Sequence, residues 1–179
     1  AELKAVKGVG EGAKVVAFAG NLCHVKNVRV LASVFKAVRM AYQADVQFWI
    51  IGDGKLRAAV ESDVAEASLE GVRFWGNIPS SKMPAMMNCI DVLVLPSLNE
   101  GLPLVCLEAI KCGANAVGSA AGGIAEAVGE GNVVSLGEGF VEALSQKILQ
   151  MLEHPENQSV PAEMSWERAS EIELGHILS

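Results

Sequence analysis

The sequence predicts an α/β protein: a single domain with a parallel sheet of about six strands, helices on both faces, and a helical tail at the C-terminus. Three observations carry this. Short apolar, β-branched runs alternate along the chain with stretches that repeat apolar residues at helical spacing, the pattern of strands joined by right-handed helical crossovers. The composition is 51% hydrophobic but only 5% aromatic, with 18 glycines, as in compact proteins with fully buried strands. The length of 179 residues suffices for one sizeable core and is short for two ordinary domains.

The elements are expected in this order. Residues 1–14 are a glycine-rich, charged lead-in. Its Gly8-Val9-Gly10-Glu11-Gly12 has the look of a dinucleotide fingerprint but precedes a strand, whereas the fingerprint must follow one. The first buried strand is Val15-Val16-Ala17-Phe18-Ala19-Gly20, followed by a loop from Asn21 to Asn27. A helix runs from Val28 to about Tyr42, with Val30, Leu31, Val34 and Val38 on its apolar face. Val46 to Ile51 is the second strand, closed by Gly52-Asp53-Gly54, and a helix follows from about Lys55 to Ser68. Val72-Arg73-Phe74-Trp75 is the third strand, closed by Gly76-Asn77-Ile78-Pro79. Ser81 is placed to cap a short helix through Cys89, with Pro84 in its first turn. Val92 to Leu95 is the fourth strand, stopped by Pro96, and the helix after it ends at Gly113. A fifth strand, Asn115 to Gly118, leads through Gly122-Gly123 into a short helix, Ile124 to Val128. Asn132 to Leu136 is the last strand, and Phe140 to Leu152 is amphipathic, with Val141, Leu144, Ile148 and Leu152 on one face. The domain is thus expected over 15–154. The tail over 155–179 is polar, broken by Pro155 and Pro161, and resumes as a helix near Trp166 with Ser165 as its cap.

Composition excludes several function classes. The formal charge of −7 is the wrong sign for general nucleic-acid binding, which needs clustered Lys and Arg. No apolar run reaches the roughly 20 residues that span a bilayer, and the start has no signal-peptide pattern. The first residue is Ala rather than Met, which fits a processed or excised chain. Cys23, Cys89, Cys106 and Cys112 form no C-x-x-C pair and no zinc spacing, so reduced thiols in the cytosol are expected. Asn157-Gln158-Ser159 matches a glycosylation acceptor, a triplet that arises often by chance. There is no Asp-x-Asp, which removes the usual metal-clamping signal. No cofactor is expected.

In parallel sheets of this kind ligands bind outside the carboxyl ends of the strands. There the stretch from Ser97 to Gly113 stands out as strand end, loop and helix start. Gly101 gives the loop freedom to approach a ligand. Pro103 sits where a first-turn proline belongs, leaving the amides of Leu104 and Val105 as free donors at a helix N-terminus, a ready anion site. Glu100 stands at the mouth. Glu108 lies one turn beyond Leu104 on the same face, so both carboxylates can look at one ligand. Two glutamates at any spacing are common, but free amides between them describe phosphate beside ribose hydroxyls, a nucleotide site.

That stretch resembles the E-x7-E motif of the retaining glycosyltransferases of group 1 (family 4), which have the GT-B fold. Other blocks are similar and in order: Gly20-Asn21 with Lys26-Asn27, Ile50-Ile51-Gly52-Asp53-Gly54, Val72 to Pro79, Ala120 to Glu126, and Ser165-Trp166-Glu167. The resemblance runs from about residue 15 to the end. It implies that this is the C-terminal, donor-binding Rossmann-like domain of an enzyme whose N-terminal acceptor domain is absent from the chain. It implies transfer of a sugar from a nucleotide diphosphate-sugar to an acceptor hydroxyl of a glycan or lipid, with retention and without a metal. The implied setting is cytoplasmic, with peripheral association at the inner face of the membrane compatible for the full enzyme. By the same resemblance Glu100 contacts the donor sugar and Lys26 neutralises the leaving diphosphate. Glu108 binds ribose, Leu104 and Val105 hold phosphate, Gly101 and Leu102 lie near the sugar, and Ile78 and Met83 line the base pocket. The family usually has Arg where this chain has Asn21, which weakens the expected diphosphate subsite because charge-assisted hydrogen bonds are roughly twice as strong as neutral ones. Three other readings remain in view. A non-catalytic nucleotide-sugar-binding module takes its support from Asn21. A phosphoacceptor domain needs acids after the first strand, where this chain has Gly20-Asn21-Leu22, and a nicotinamide dehydrogenase needs its glycine fingerprint there.

Overall fold

The computed structural model describes Lys4 and residues 7–160. Pro161 and the expected tail helix around Ser165-Trp166-Glu167 lie outside the described residues. The strands are β1 (Lys14–Ala19), β2 (Val46–Ile51), β3 (Val72–Gly76), β4 (Val92–Leu95), β5 (Asn115–Ser119) and β6 (Val133–Val134). They form one sheet in the order β3-β2-β1-β4-β5-β6, and every ladder is parallel. The helices are α1 (Leu31–Ala41), α2 (Arg57–Glu66), α3 (Met83–Met87), α4 (Leu104–Lys111), α5 (Ile124–Val128) and α6 (Phe140–Glu153).

The order has a functional consequence. From β1 the chain steps outward to β2 and β3, returns to β4, and steps outward again on the other side. With right-handed crossovers this puts α1 and α2 on one face and α4 and α5 on the other. The contacts agree: α1 packs with α2 and α6, whereas α4 packs with α3 and α5. The connections reverse direction between β1 and β4, and the crevice above their carboxyl ends is where doubly wound sheets take ligands.

The elements expected over 15–154 all form, with differences at their ends. Val28–Val30 is a 3₁₀ turn rather than the first turn of α1. Ser81 does not cap α3: Ser80–Lys82 forms its own 3₁₀ turn and α3 starts at Met83. The last strand shrinks to Val133–Val134, because 130–132 is another 3₁₀ turn and only two residues reach the ladder beside Gly118 and Ser119. On α6 the buried positions are Phe140, Leu144, Ser145, Ile148, Met151 and Leu152, while Val141 is half-buried.

The core lies on both sides of β1, β2 and β4, whose central residues are fully buried. Phe35 of α1 stacks on Phe48 of β2 at 4.6 Å between centroids. The lead-in contributes too: Val9 and Ala13 belong to the core. Asp91, at the start of β4, pairs with Lys4 and accepts the Val15 amide at 2.8 Å. At the other margin Gln158 brackets Ala116 of β5, accepting its amide at 2.6 Å and donating to its carbonyl at 3.0 Å. These side-chain clamps bind the segments before and after the domain to the amino ends of the strands. The carboxyl ends remain open.

Candidate functional site

Above those carboxyl ends lies a cavity of about 850 Å³, walled by the loops after β1, β2, β3 and β4 and by the start of α4. It gathers Asn21, Lys26, Ile78, Met83, Glu100, Leu102, Leu104 and Val105 from the three connections after β1, β3 and β4. Gly101 and Glu108 are not in its lining. A second cavity of about 420 Å³ shares the Ile78 and Met83 walls and adds Ser80, Pro84, Met87, Glu108, Lys111 and Cys112. The two glutamates therefore face adjoining compartments divided by Ile78 and Met83. The more polar compartment holds Lys26 and Glu100, and the mainly apolar one holds Glu108.

The loop after β1 raises Lys26 into the larger cavity. His24–Lys26 forms a 3₁₀ turn that closes on Asn27 in the left-handed region, φ 51°, with the Asn27 amide on the His24 carbonyl at 2.9 Å. Asn tolerates that conformation better than most residues. Lys26 Nζ then donates to Glu100 Oε1 at 2.5 Å, with the two side chains only 25% and 12% exposed. His24 is exposed and outside the lining. The Asn21 side chain has no hydrogen-bond partner among the described residues, and Gly54 approaches it so closely that a Cβ there would overlap Asn21 Oδ1.

The loop after β4 is pinned from beneath. Ser97 is fully buried and donates to Glu100 Oε1 at 2.7 Å. Its own carbonyl accepts the hydroxyl of buried Ser119, at the end of β5. The Gly123 amide donates to the Glu100 carbonyl at 3.0 Å. A Cβ on Gly122 would overlap that same carbonyl, and one on Gly123 the carbonyl of Gly101. The Gly122-Gly123 turn thus seats the Glu100–Gly101 peptide by direct backbone contact. At Gly101 itself nothing lies within 4 Å of an added Cβ, so no internal contact demands glycine there.

The helix start differs from expectation in one respect. Pro103 is the cap residue and α4 begins at Leu104. The Leu104 amide is not a free donor: it closes a tight turn on the Leu102 carbonyl at 3.0 Å. Proline at the cap, with ψ 83°, bends the chain so that this turn precedes the helix. Among the described residues the Val105 amide has no acceptor, so of the two helix-start amides it is the one left unpaired.

Several lining residues carried no role in the sequence reading: Gly20, Gly52, Asp53, Gly54 and Asn77. The signal that finds them is position, because each lies just beyond the carboxyl end of a strand. Asp53 accepts from the Gly54 amide at 2.7 Å and from Arg57 Nη1 at 2.9 Å, and these bonds hold its carboxyl below the ordinary range. The rim is also tied loop to loop: Gly52 N to Gly76 O, Leu22 N to Asp53 O, and Leu98 N to Val25 O, all at 2.7–2.9 Å. Under the site, burial together with the Glu100 carboxylate pushes the Cys106 thiol up to about 12. All four cysteines are free thiols. Among the described residues no group of three or more His, Cys, Asp or Glu gathers as a metal site.

The fold and the cavity define a doubly wound α/β domain with a cleft at its switch point that pairs one cation with carboxylates and a helix start. The chain belongs to the group 1 glycosyltransferases: residues 1–167 match the family model described as "Glycosyl transferases group 1". It is similar to the 2-deoxystreptamine glucosyltransferase of Streptomyces kanamyceticus, with 33% identity over 151 residues, 81% of this chain and 38% of that relative's length. The chain thus spans well under half of the relative it matches. Among solved structures, the C-terminal domain of the group 1 family protein LpcC from Francisella tularensis superposes with a TM-score of 0.73 at 18% identity, covering 95% of this chain and 90% of that one. The Anabaena protein HepE, solved in complex with UDP and glucose, gives a TM-score of 0.72 at 22% identity, covering 99% of this chain and 51% of that one. The domain has the fold of that C-terminal domain.

Proposed function

We propose that this chain is the donor-binding half of a retaining glycosyltransferase that moves a sugar from a nucleotide diphosphate-sugar to an acceptor hydroxyl in glycan, polysaccharide or glycolipid synthesis. The observation that carries the reading is the pair of adjoining cavities. The smaller, apolar one suits a base against Ile78 and Met83, with Glu108 accepting from ribose hydroxyls. The larger suits the diphosphate and sugar, with Lys26, the Val105 amide and Glu100 around them. A UDP complex of a structural neighbour supports a nucleotide donor.

In this reading Lys26 offsets the charge that grows on the diphosphate as the glycosidic bond breaks. Glu100 orients the sugar. No carboxylate is placed as a nucleophile, so the acceptor attacks from the face the diphosphate leaves, and a donor phosphate oxygen takes the acceptor proton. The protein contributes positioning and electrostatics. The acceptor, a glycan or lipid, would be held by an N-terminal domain outside this chain, so the chain alone should bind nucleotide weakly and transfer nothing. Among the described residues no helix is long and apolar enough to cross a membrane. A cytoplasmic enzyme, peripheral to the inner membrane face, fits this reading. A second reading, a non-catalytic nucleotide-sugar-binding module, draws on Asn21, an uncharged side chain in the cavity wall.

The test is calorimetric titration with UDP, GDP, ADP and their sugars. One nucleotide should bind preferentially, and Glu108→Ala should weaken it about tenfold or more, the scale of hydrogen bonds to a charged group. Unchanged affinity in that variant would remove Glu108 from the ribose role. In the full-length enzyme, Asn21→Arg raises turnover if the chain is a transferase with a weakened diphosphate subsite and leaves it unchanged if it is a binding module.

A further inference from the structure

We infer that the Lys26–Glu100 ion pair is an exchange latch: the donor diphosphate takes Lys26 from Glu100, and the Oε1 so released receives the sugar. The inference rests on the donor-site reading above and assigns it a coupling that neither residue provides alone.

Among the described residues lining the larger cavity, Lys26 is the one cation, set against the carboxylates of Asp53 and Glu100. Asp53 is already matched by Arg57 and by the Gly54 amide. Asn21 adds no charge. An entering diphosphate therefore finds its only lining cation bound at 2.5 Å to a carboxylate that repels it. It can gain Lys26 only by breaking that pair.

The geometry decides which partner moves. Lys26 and Ser97 both donate to Oε1 of Glu100, and Oε2 has no donor among the described residues. Ser97 is fully buried, and Ser119 holds its carbonyl. When Lys26 departs, the Ser97 hydroxyl keeps the carboxylate in place, on a loop seated by Gly122 and Gly123. Lysine is the mobile member, a point charge on a flexible stem. The motion is a lysine swing past a fixed carboxylate. One lone-pair direction of Oε1 is then exposed to the cavity, where it can accept a sugar hydroxyl. When the nucleoside diphosphate departs, Lys26 returns to Glu100 and the latch resets.

The test is a double-mutant cycle read by calorimetry with UDP, and with GDP and ADP in parallel, on wild type, Glu100→Gln, Lys26→Met and the double variant. The latch predicts that Glu100→Gln tightens nucleoside diphosphate about tenfold. In the Lys26→Met background the same substitution should tighten it about threefold or less. Glu100→Asp keeps the charge but withdraws it from Lys26, and should also tighten binding. An equal gain in both backgrounds, with no gain from Glu100→Asp, would show plain repulsion and overturn the latch. So would a Glu100→Gln variant that binds no better than wild type. If wild type binds none of the three nucleotides, the donor-site reading falls and the latch with it. If Glu108→Ala abolishes binding while Glu100→Gln leaves it unchanged, the site stands and the latch alone is refuted.

Discussion

Two glycines close together in space do opposite work. Gly122 sits at φ +57°, and an added Cβ would overlap the Glu100 carbonyl, so both backbone strain and a clash oppose any larger residue. Gly122→Ala should lower stability by about 2–4 kcal/mol and displace the Glu100 loop, read as a drop in thermal midpoint with loss of nucleotide binding. Gly101→Ala meets open space, so its thermal midpoint should stay within the change expected of a surface substitution, about 0.5 kcal/mol. Cys106 offers a pH signature. Its thiol is raised from 9.0 to about 12, mainly by burial. A raised folded value means the folded state keeps its proton where the unfolded chain loses it, so this contribution is full below about pH 9 and is lost as pH rises toward 12. Stability in alkaline titration should fall across that window, and more shallowly in Cys106→Ala.

The strands and helices owe their places to patterns the sequence displays openly. Runs such as Val92-Leu93-Val94-Leu95 are buried on both faces, so they read as continuous apolar stretches. Ends were harder. Ser81 looks like a cap because Ser commonly is one, but the 3₁₀ turn at Ser80–Lys82 claims it. Tertiary contacts decided that, and local propensity does not report them. The segment after α6 shows the same limit. Asn115 and Gln158 read as ordinary polar residues, yet Asn115 bonds Glu156 in both directions and Gln158 imitates a strand neighbour for Ala116. Gln158→Ala should cost about 1–2 kcal/mol, because it leaves a partly buried amide and carbonyl unpaired. Chemical denaturation checks this through a lower midpoint at unchanged slope.

At the scale of the whole molecule, the strand order places the cleft. Crossing back from β3 to β4 opens the crevice between β1 and β4, and the side chains named from sequence for the larger cavity reach it through loops far apart in the chain. Gly101 stayed outside that lining, and Glu108 fell in a second compartment. Their separation was not legible, because motif spacing along a helix says nothing about Ile78 and Met83 standing between the two acids. Ser97 and Ser119 were equally hidden, since their roles exist only once β4 and β5 lie side by side. The proposed donor site requires nucleoside diphosphate to occupy this carboxyl-end cleft. The most direct measurement is an amide chemical-shift map of the chain titrated with UDP, GDP and ADP. The nucleotide that binds should shift the amides around Lys26, Ile78, Gly101 and Val105. Shifts confined to the amino-end cavity around Lys36, Arg39 and Gly71, or no shifts with any of the three, would contradict it.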